Sequence, residues 1–180
     1  MLTTNAKYNK EKLIQVSAYI LKRLGGTSDM HKLFKVLYFA EKDYLSKFGR
    51  MITGDNFIAM KYGPVPSMIF DIFKVVRGDS IFNDDTLAEI FQVNEYIINL
   101  LKDFGEYNEI SDAEKRSLEW SIDSFKEMEF NELSDISHDQ AWKATTRDDI
   151  IDINEIAKAG DTDDETLKYI QVLKENAAVI

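Results

Sequence analysis

Leu33-Phe34-Lys35-Val36-Leu37-Tyr38-Phe39-Ala40 decides how this chain must be built. Lys35 is the one charged residue in the stretch, and apolar side chains cover most of the circumference of the helix that it predicts. A helix apolar on nearly every side has to be packed on several sides, so this one is expected to run through the centre of the fold. Lys32, Lys35, Lys42, Asp43 and Ser46 leave one narrow polar stripe, read as the wet side. Thr27, Ser28 and Asp29 offer N-caps before the helix, and Gly49 stops it after Phe48.

Working outward, a first helix is predicted from about Asn9 to Leu24, with Leu13, Ile14, Ala18, Ile20 and Leu21 inward and Gly25-Gly26 as its stop. On the other side, Phe57-Ile58-Ala59-Met60-Lys61-Tyr62 is rich in strand formers. Gly63-Pro64 reads as a rigid turn, and Val65-Pro66 as the first turn of a third helix that ends at Gly78. Ile90–Val93 and Tyr96–Ile98 flank Asn94-Glu95 and predict a hairpin. Ser111 and Glu114 form a capping box for a helix lined by Leu118, Ser121, Ile122, Phe125 and Met128. Shorter helical segments follow at about 134–145 and 154–159. A final helix over about 163–177 places Leu167, Ile170, Leu173 and Ala177 inward. The expected fold is mostly α, in the α+β class: six to seven helices with one small antiparallel sheet, forming a single domain over 1–180.

The composition sets limits on chemistry. The 180 residues contain no cysteine, which removes disulfides, thiolate zinc sites and cysteine nucleophiles. No apolar run reaches the roughly 18–20 residues of a membrane helix, and Met1–Lys7 has no secretory apolar core, so a cytoplasmic protein is expected. The net charge of −10 is uneven: up to Gly78 there are 13 Lys/Arg against 6 Asp/Glu, and beyond it the balance reverses to 9 against 26. An acidic whole argues against nucleic-acid and anionic-membrane partners, whose phosphates are met mainly by Lys and Arg. The basic first part and the acidic second part either present partner surfaces or face one another.

No motif supplies a catalytic centre. Gly63-Pro64-Val65-Pro66 lacks the glycines and the Lys-Ser/Thr of a phosphate loop, and proline removes the N–H groups that would cradle an anion. His31 and His138 stand alone, outside any His-Glu-x-x-His pattern. Asp84-Asp85, Asp148-Asp149 and the run from Asp161 to Glu165 match no calcium loop. No cofactor or metal is expected.

The segment from His31 to Ala40 resembles the Lys-Leu-x-Lys-Leu-x-Tyr-x-Ala element of the SocA-like Panacea antitoxin domain family, carried here by Leu33, Leu37, Tyr38 and Ala40. The family's strand closing in Ala-x-x-x-Gly-Pro-Val is matched by Ala59, Gly63, Pro64 and Val65. Leu133-Ser134-Asp135-Ile136-Ser137-His138-Asp139-Gln140-Ala141-Trp142 is similar to a third family segment, Leu-Ser-x-x-(Ser)-His-x-x-x-Trp. Phe34 and Val36 vary the usual register, which a buried helix tolerates. The resemblance spans about 13–156 and implies a bacterial or phage antitoxin that binds a cognate protein toxin, usually encoded beside it. Some relatives instead hand the toxin to an AAA+ protease. No helix-turn-helix or zinc ribbon is read in these residues, so operator binding is not expected. Contact is expected through Lys32, Lys35, Tyr62 and Trp142, with Asp148 and Asp149 offering an acidic surface to a basic toxin. The competing expectation is a hydrolase assembled from His31, His138 and scattered carboxylates.

Overall fold

The computed structural model describes residues 9–177; the Met1–Lys7 reading and the Ala177 side chain lie outside the described residues. Helix α1 (Lys10–Arg23) is capped by Asn9, whose side chain accepts from the Lys12 amide. Strand β1 (Thr27–Asp29) precedes helix α2 (Met30–Phe48), and Asp29 both pairs with Ile97 and caps α2 by accepting from the Lys32 amide at 2.8 Å. The N-cap expectation at Asp29 is met, while the strand was hidden in it. Gly49 ends α2 in the left-handed region.

Every residue from Leu33 to Glu41 is buried, so α2 is the central helix its apolar circumference requires. The wet stripe is corrected. Lys35 is only 1% exposed. Lys42 is half-buried and paired with Asp139 at 2.8 Å, and Asp43 accepts from Ser117. The acidic second part thus covers much of what was read as solvent-facing. Lys10–Asp84, Lys12–Glu114 and Lys22–Asp103 pair the two parts in the same way.

Strands β2 (Phe57–Met60) and β3 (Gly63–Pro66) form a two-stranded sheet with Met60 opposite Gly63 and Phe57 opposite Pro66. Gly63-Pro64-Val65-Pro66 is therefore a strand, not a turn leading into a helix. Proline's fixed φ suits an edge strand as well as a helical first turn, and long-range pairing selects between them. Helix α3 (Ser67–Arg77) starts after it, and Asp55 supplies the missing cap by accepting from the amides of Met68 and Ile69. Gly78 closes α3.

The acidic Asp84-Asp85 pair opens helix α4 (Asp85–Ile90), which periodicity did not reveal. Strands β4 (Phe91–Asn94) and β5 (Ile97–Leu100) form the expected hairpin, and β1 joins it in the order β1-β5-β4. Helix α5 (Asp112–Phe125) carries the Ser111/Glu114 capping box. The segment read as one helix at 134–145 is two: α6 (Phe130–Ser137) and α7 (Gln140–Lys143), broken at His138. Helices α8 (Ile153–Ala159) and α9 (Asp164–Ala177) complete the chain. Ile170 is buried as expected, but Leu173 is 39% exposed on the outer side of α9. Among the described residues there are nine helices and two small antiparallel sheets, an α+β arrangement that is mostly helical. The count exceeds the expected six to seven because short capped helices such as α4 and α7 leave almost no periodic signal.

Candidate functional site

The β2–β3 turn at Lys61-Tyr62 is where three distant stretches of sequence converge. Three side-chain nitrogens hold carbonyls of the turn and its flanks. Trp142 Nε1 donates to Met60 O at 2.9 Å, and the His138 ring lies against the Lys61 backbone. His31 Nε2 lies 3.2 Å from Tyr62 O, and Lys35 Nζ donates to Pro64 O at 2.9 Å. A carbonyl oxygen only accepts, so Nε2 of His31 carries its hydrogen in this arrangement.

Gly63 makes the close approach achievable. Its φ is +101°, and a Cβ there would sit 2.1 Å from Ser137 Oγ and 2.7 Å from Lys35 Cε. Only glycine meets both conditions. Tyr38 positions the far side of the clamp: its hydroxyl donates to Asp139 Oδ2 at 2.9 Å, and Asp139 caps α7 by accepting from the Trp142 amide. Lys42 closes the same carboxylate. Burial, then Asp139, pushes the Tyr38 hydroxyl far above its ordinary value, so it remains a donor.

The electrostatics of the clamp are unusual. Burial brings the Lys35 amine down to about 7, with Asp29 opposing weakly. Burial, then the Lys35 charge, brings His31 down to about 4, and the same two causes in the same order lower His138. Both imidazoles are therefore neutral at pH 7. Their remaining nitrogens, His31 Nδ1 and His138 Nε2, are buried without a hydrogen-bond partner.

Above the clamp lies an exposed aromatic cap. Phe130 stacks on His31 with ring centroids 3.9 Å apart and meets the Tyr62 ring edge-on at 5.3 Å. Tyr62 is 49% and Phe130 44% exposed. Lys61 Nζ sits 4.9 Å from the Tyr62 ring centre. Below, His138 and Trp142 stack at 3.9 Å.

Of the residues expected to meet a partner, Tyr62 lies in the cap and Trp142 is half-buried in the clamp. Lys32 is half-buried, with Nζ on the Lys126 carbonyl at 2.7 Å. Lys35 is corrected: at 1% exposure it offers a partner nothing and holds the turn from within. Asp148 and Asp149 sit apart from the clamp, on the outer edge of β2, where Asp148 N donates to Ala59 O and Asp149 O accepts from Ala59 N, both at 2.9 Å. Their side chains are exposed. Among the signature residues, Leu33, Leu37, Tyr38, Ala40 and Ala59 are core, each at most 1% exposed.

The histidines expected for a hydrolase do come together, but around an amine rather than a carboxylate cluster. The adjacent Ser137 hydroxyl donates to Ser134 O, not to an imidazole. Among the described residues, no group of three or more His, Cys, Asp or Glu is placed to hold a metal ion, and no helix is long and apolar enough to cross a membrane.

Phe130 and Asp139 were missed in the sequence. Phe130 went unread because α6 was expected to begin at Ser134; the signal available was Glu132, whose carboxylate accepts from the Glu129 amide and marks an earlier helix start. Asp139 enters the sequence reading only as a member of the third family segment, although an Asp three residues before Trp142 is an N-cap pattern.

The fold and the clamped turn define a class of domain: a helical scaffold wrapped on one buried central helix, presenting a hairpin turn fixed by side chains from three elements. Comparison with family models matches residues 33–143 to the SocA-like antitoxin, Panacea domain; the match covers well over half of the chain, and the chain belongs to that family. It begins within α2 and ends at Lys143, so it encloses the hairpin and α6–α7. Comparisons with curated proteins and with solved structures gave no match.

Proposed function

We propose that this chain is a cytoplasmic antitoxin that holds a cognate protein toxin inactive by direct contact, acting as a binding protein and not as an enzyme. Membership of an antitoxin domain family supports the role. The observation that carries the contact face is the Tyr62–Phe130 cap, two large aromatic side chains left about half exposed on top of a turn whose carbonyls are held by buried side chains. Aromatic anchors on a rigid base are what protein interfaces use as hot spots, since little ordering entropy is lost on docking. A stable complex would extend well beyond the cap, to roughly 1,200–2,000 Å² in total. Lys61 lies at its border, Lys32 follows the stacked His31 in sequence, and the exposed Asp148 and Asp149 are a second, acidic contact for a basic toxin.

The test is co-expression with the product of the reading frame adjacent to this chain's, as the candidate toxin. The toxin alone should arrest growth, and the pair should grow and elute as one complex. Tyr62→Ala with Phe130→Ala should weaken binding by about 30-fold or more, the loss typical of a hot-spot pair. Val172→Ala on the exposed side of α9 should leave it unchanged. Full neutralisation by the double variant would remove the cap from the interface. Neutralisation that persists in a host lacking AAA+ proteases supports sequestration over delivery for degradation.

A further inference from the structure

We propose that His31, Lys35 and His138 form a proton-operated latch on the Lys61-Tyr62 turn, holding the aromatic cap in its docking shape at neutral pH and releasing it in mild acid. The consequence for docking rests on the function proposed above; the latch itself does not.

The geometry carries the argument. Two of the three nitrogens that hold the turn belong to titratable groups, His31 on Tyr62 O and Lys35 on Pro64 O, and the His138 ring lies against the Lys61 backbone. Each imidazole has one nitrogen buried without a partner, Nδ1 of His31 and Nε2 of His138. A proton taken up there in the closed state has no acceptor waiting and sits beside the Lys35 amine. A buried, unpaired donor of that kind is costly, whereas in an opened turn it is hydrated. Acid therefore favours opening.

The surrounding charges do not cancel this. Asp29, the cap of α2, and Asp135 on α6 favour the protonated rings, and Lys143 on α7 opposes. In both histidines Lys35 acts more strongly than either carboxylate. For the two histidines the sign is that of a base whose closed-state value lies below its open-state value: their contribution to the closed turn is fully present above the ordinary histidine range and is lost as pH falls from about 6.5, whereas the Lys35 contribution changes mainly above pH 7. With His31 held at about 4 when closed, its full shift would raise the opening constant about 20-fold between pH 7 and pH 5. The ring is only half-buried, and solvent screening reduces the expectation to about tenfold.

Hydrogen exchange tests it on the intact protein. The Trp142 indole N–H, bonded to Met60 O, and the amides of residues 61–63 should lose about tenfold in protection between pH 7 and pH 5, after correction for intrinsic exchange. Core amides of α2, such as Leu37, should keep theirs, which separates latch opening from acid unfolding. His31→Gln with His138→Gln retains a donor for the Tyr62 carbonyl and a polar side chain beside Lys61 but cannot titrate, and should abolish the difference. Equal protection at both pH values, or the same loss in the double variant, overturns the latch. Should the double variant not fold, the imidazole titrations of the wild-type chain decide: ordinary or raised values overturn it, and depressed values with the exchange loss support it. Toxin affinity measured at the same two pH values is a separate arm. Affinity that falls with protection supports the coupling, and affinity unchanged while the turn opens overturns it. No toxin binding at either pH counts against the antitoxin reading and leaves the exchange result to judge the latch.

Discussion

Replacing Lys35 by methionine should stabilise the protein at neutral pH and do so less, or not at all, in base. The side chain is almost entirely enclosed, and its amine is held at about 7 against an unfolded value of 10.5. Because the folded value is the lower one, the unfolded chain binds more protons between those limits, and stability rises with pH across that window. Below pH 7 the full penalty applies, on the order of 5 kcal/mol at about 1.4 kcal/mol per unit. Methionine has a similar linear shape, carries no charge and packs adaptably. It forfeits the bond to Pro64 O, leaving a buried carbonyl unpaired at a cost of about 1–3 kcal/mol. The net expectation is a variant about 2–4 kcal/mol more stable than wild type at pH 6.5. That advantage shrinks by about 4 kcal/mol, to parity or a small deficit, at pH 10. Urea unfolding of both proteins at the two pH values measures it. A stability difference that stays constant within about 1 kcal/mol would show that Lys35 carries no burial penalty, and the account of the clamp's electrostatics would be wrong.

Other substitutions test other parts of the same geometry. Gly63→Ala drives a Cβ into Ser137 and Lys35 at a positive φ, and thermal unfolding should show a loss of about 3 kcal/mol or more, part of it recovered by adding Ser137→Gly. Tyr38→Phe removes the hydroxyl that anchors Asp139, so urea unfolding should show about 1–2 kcal/mol lost, with faster exchange at the Trp142 indole. Reversing charge at Asp149 and Asp164 should weaken toxin neutralisation at low salt and much less at high salt. Asp163 is left out because its carboxylate caps α9 through the amides of Glu165 and Thr166, and its loss would confound the result. Equal neutralisation at both salt concentrations would reduce the exposed acidity to solvation.

The segments that meet at the turn were each visible in the sequence, yet their meeting was not. Leu33 to Ala40 declared a central helix because no amphipathic face could be drawn on it, and the structure buries it on all sides. Ser111 and Glu114 announced their capping box, and Gly49 and Gly78 their helix ends, because caps depend on residues a few positions apart. Lys35 misled, since a lysine on a helix reads as a solvent-facing position. Its amine bonds the carbonyl of Pro64, which lies far off in the chain, and helical periodicity carries no trace of that meeting.

The same reason separates the rest. Local sequence determined the helical class, the central helix, the β4–β5 hairpin and the family signature, because propensities, caps and hydrophobic spacing act between near neighbours. Only the tertiary structure decided that Gly63–Pro66 is a strand, that Leu173 faces outward, and that basic and acidic parts of the chain pair with each other. Those outcomes depend on which surfaces meet across distant parts of the chain. The clamp is the clearest case: one amine, two imidazoles and an indole from distant parts of the chain are ordinary residues until folding closes them around one turn.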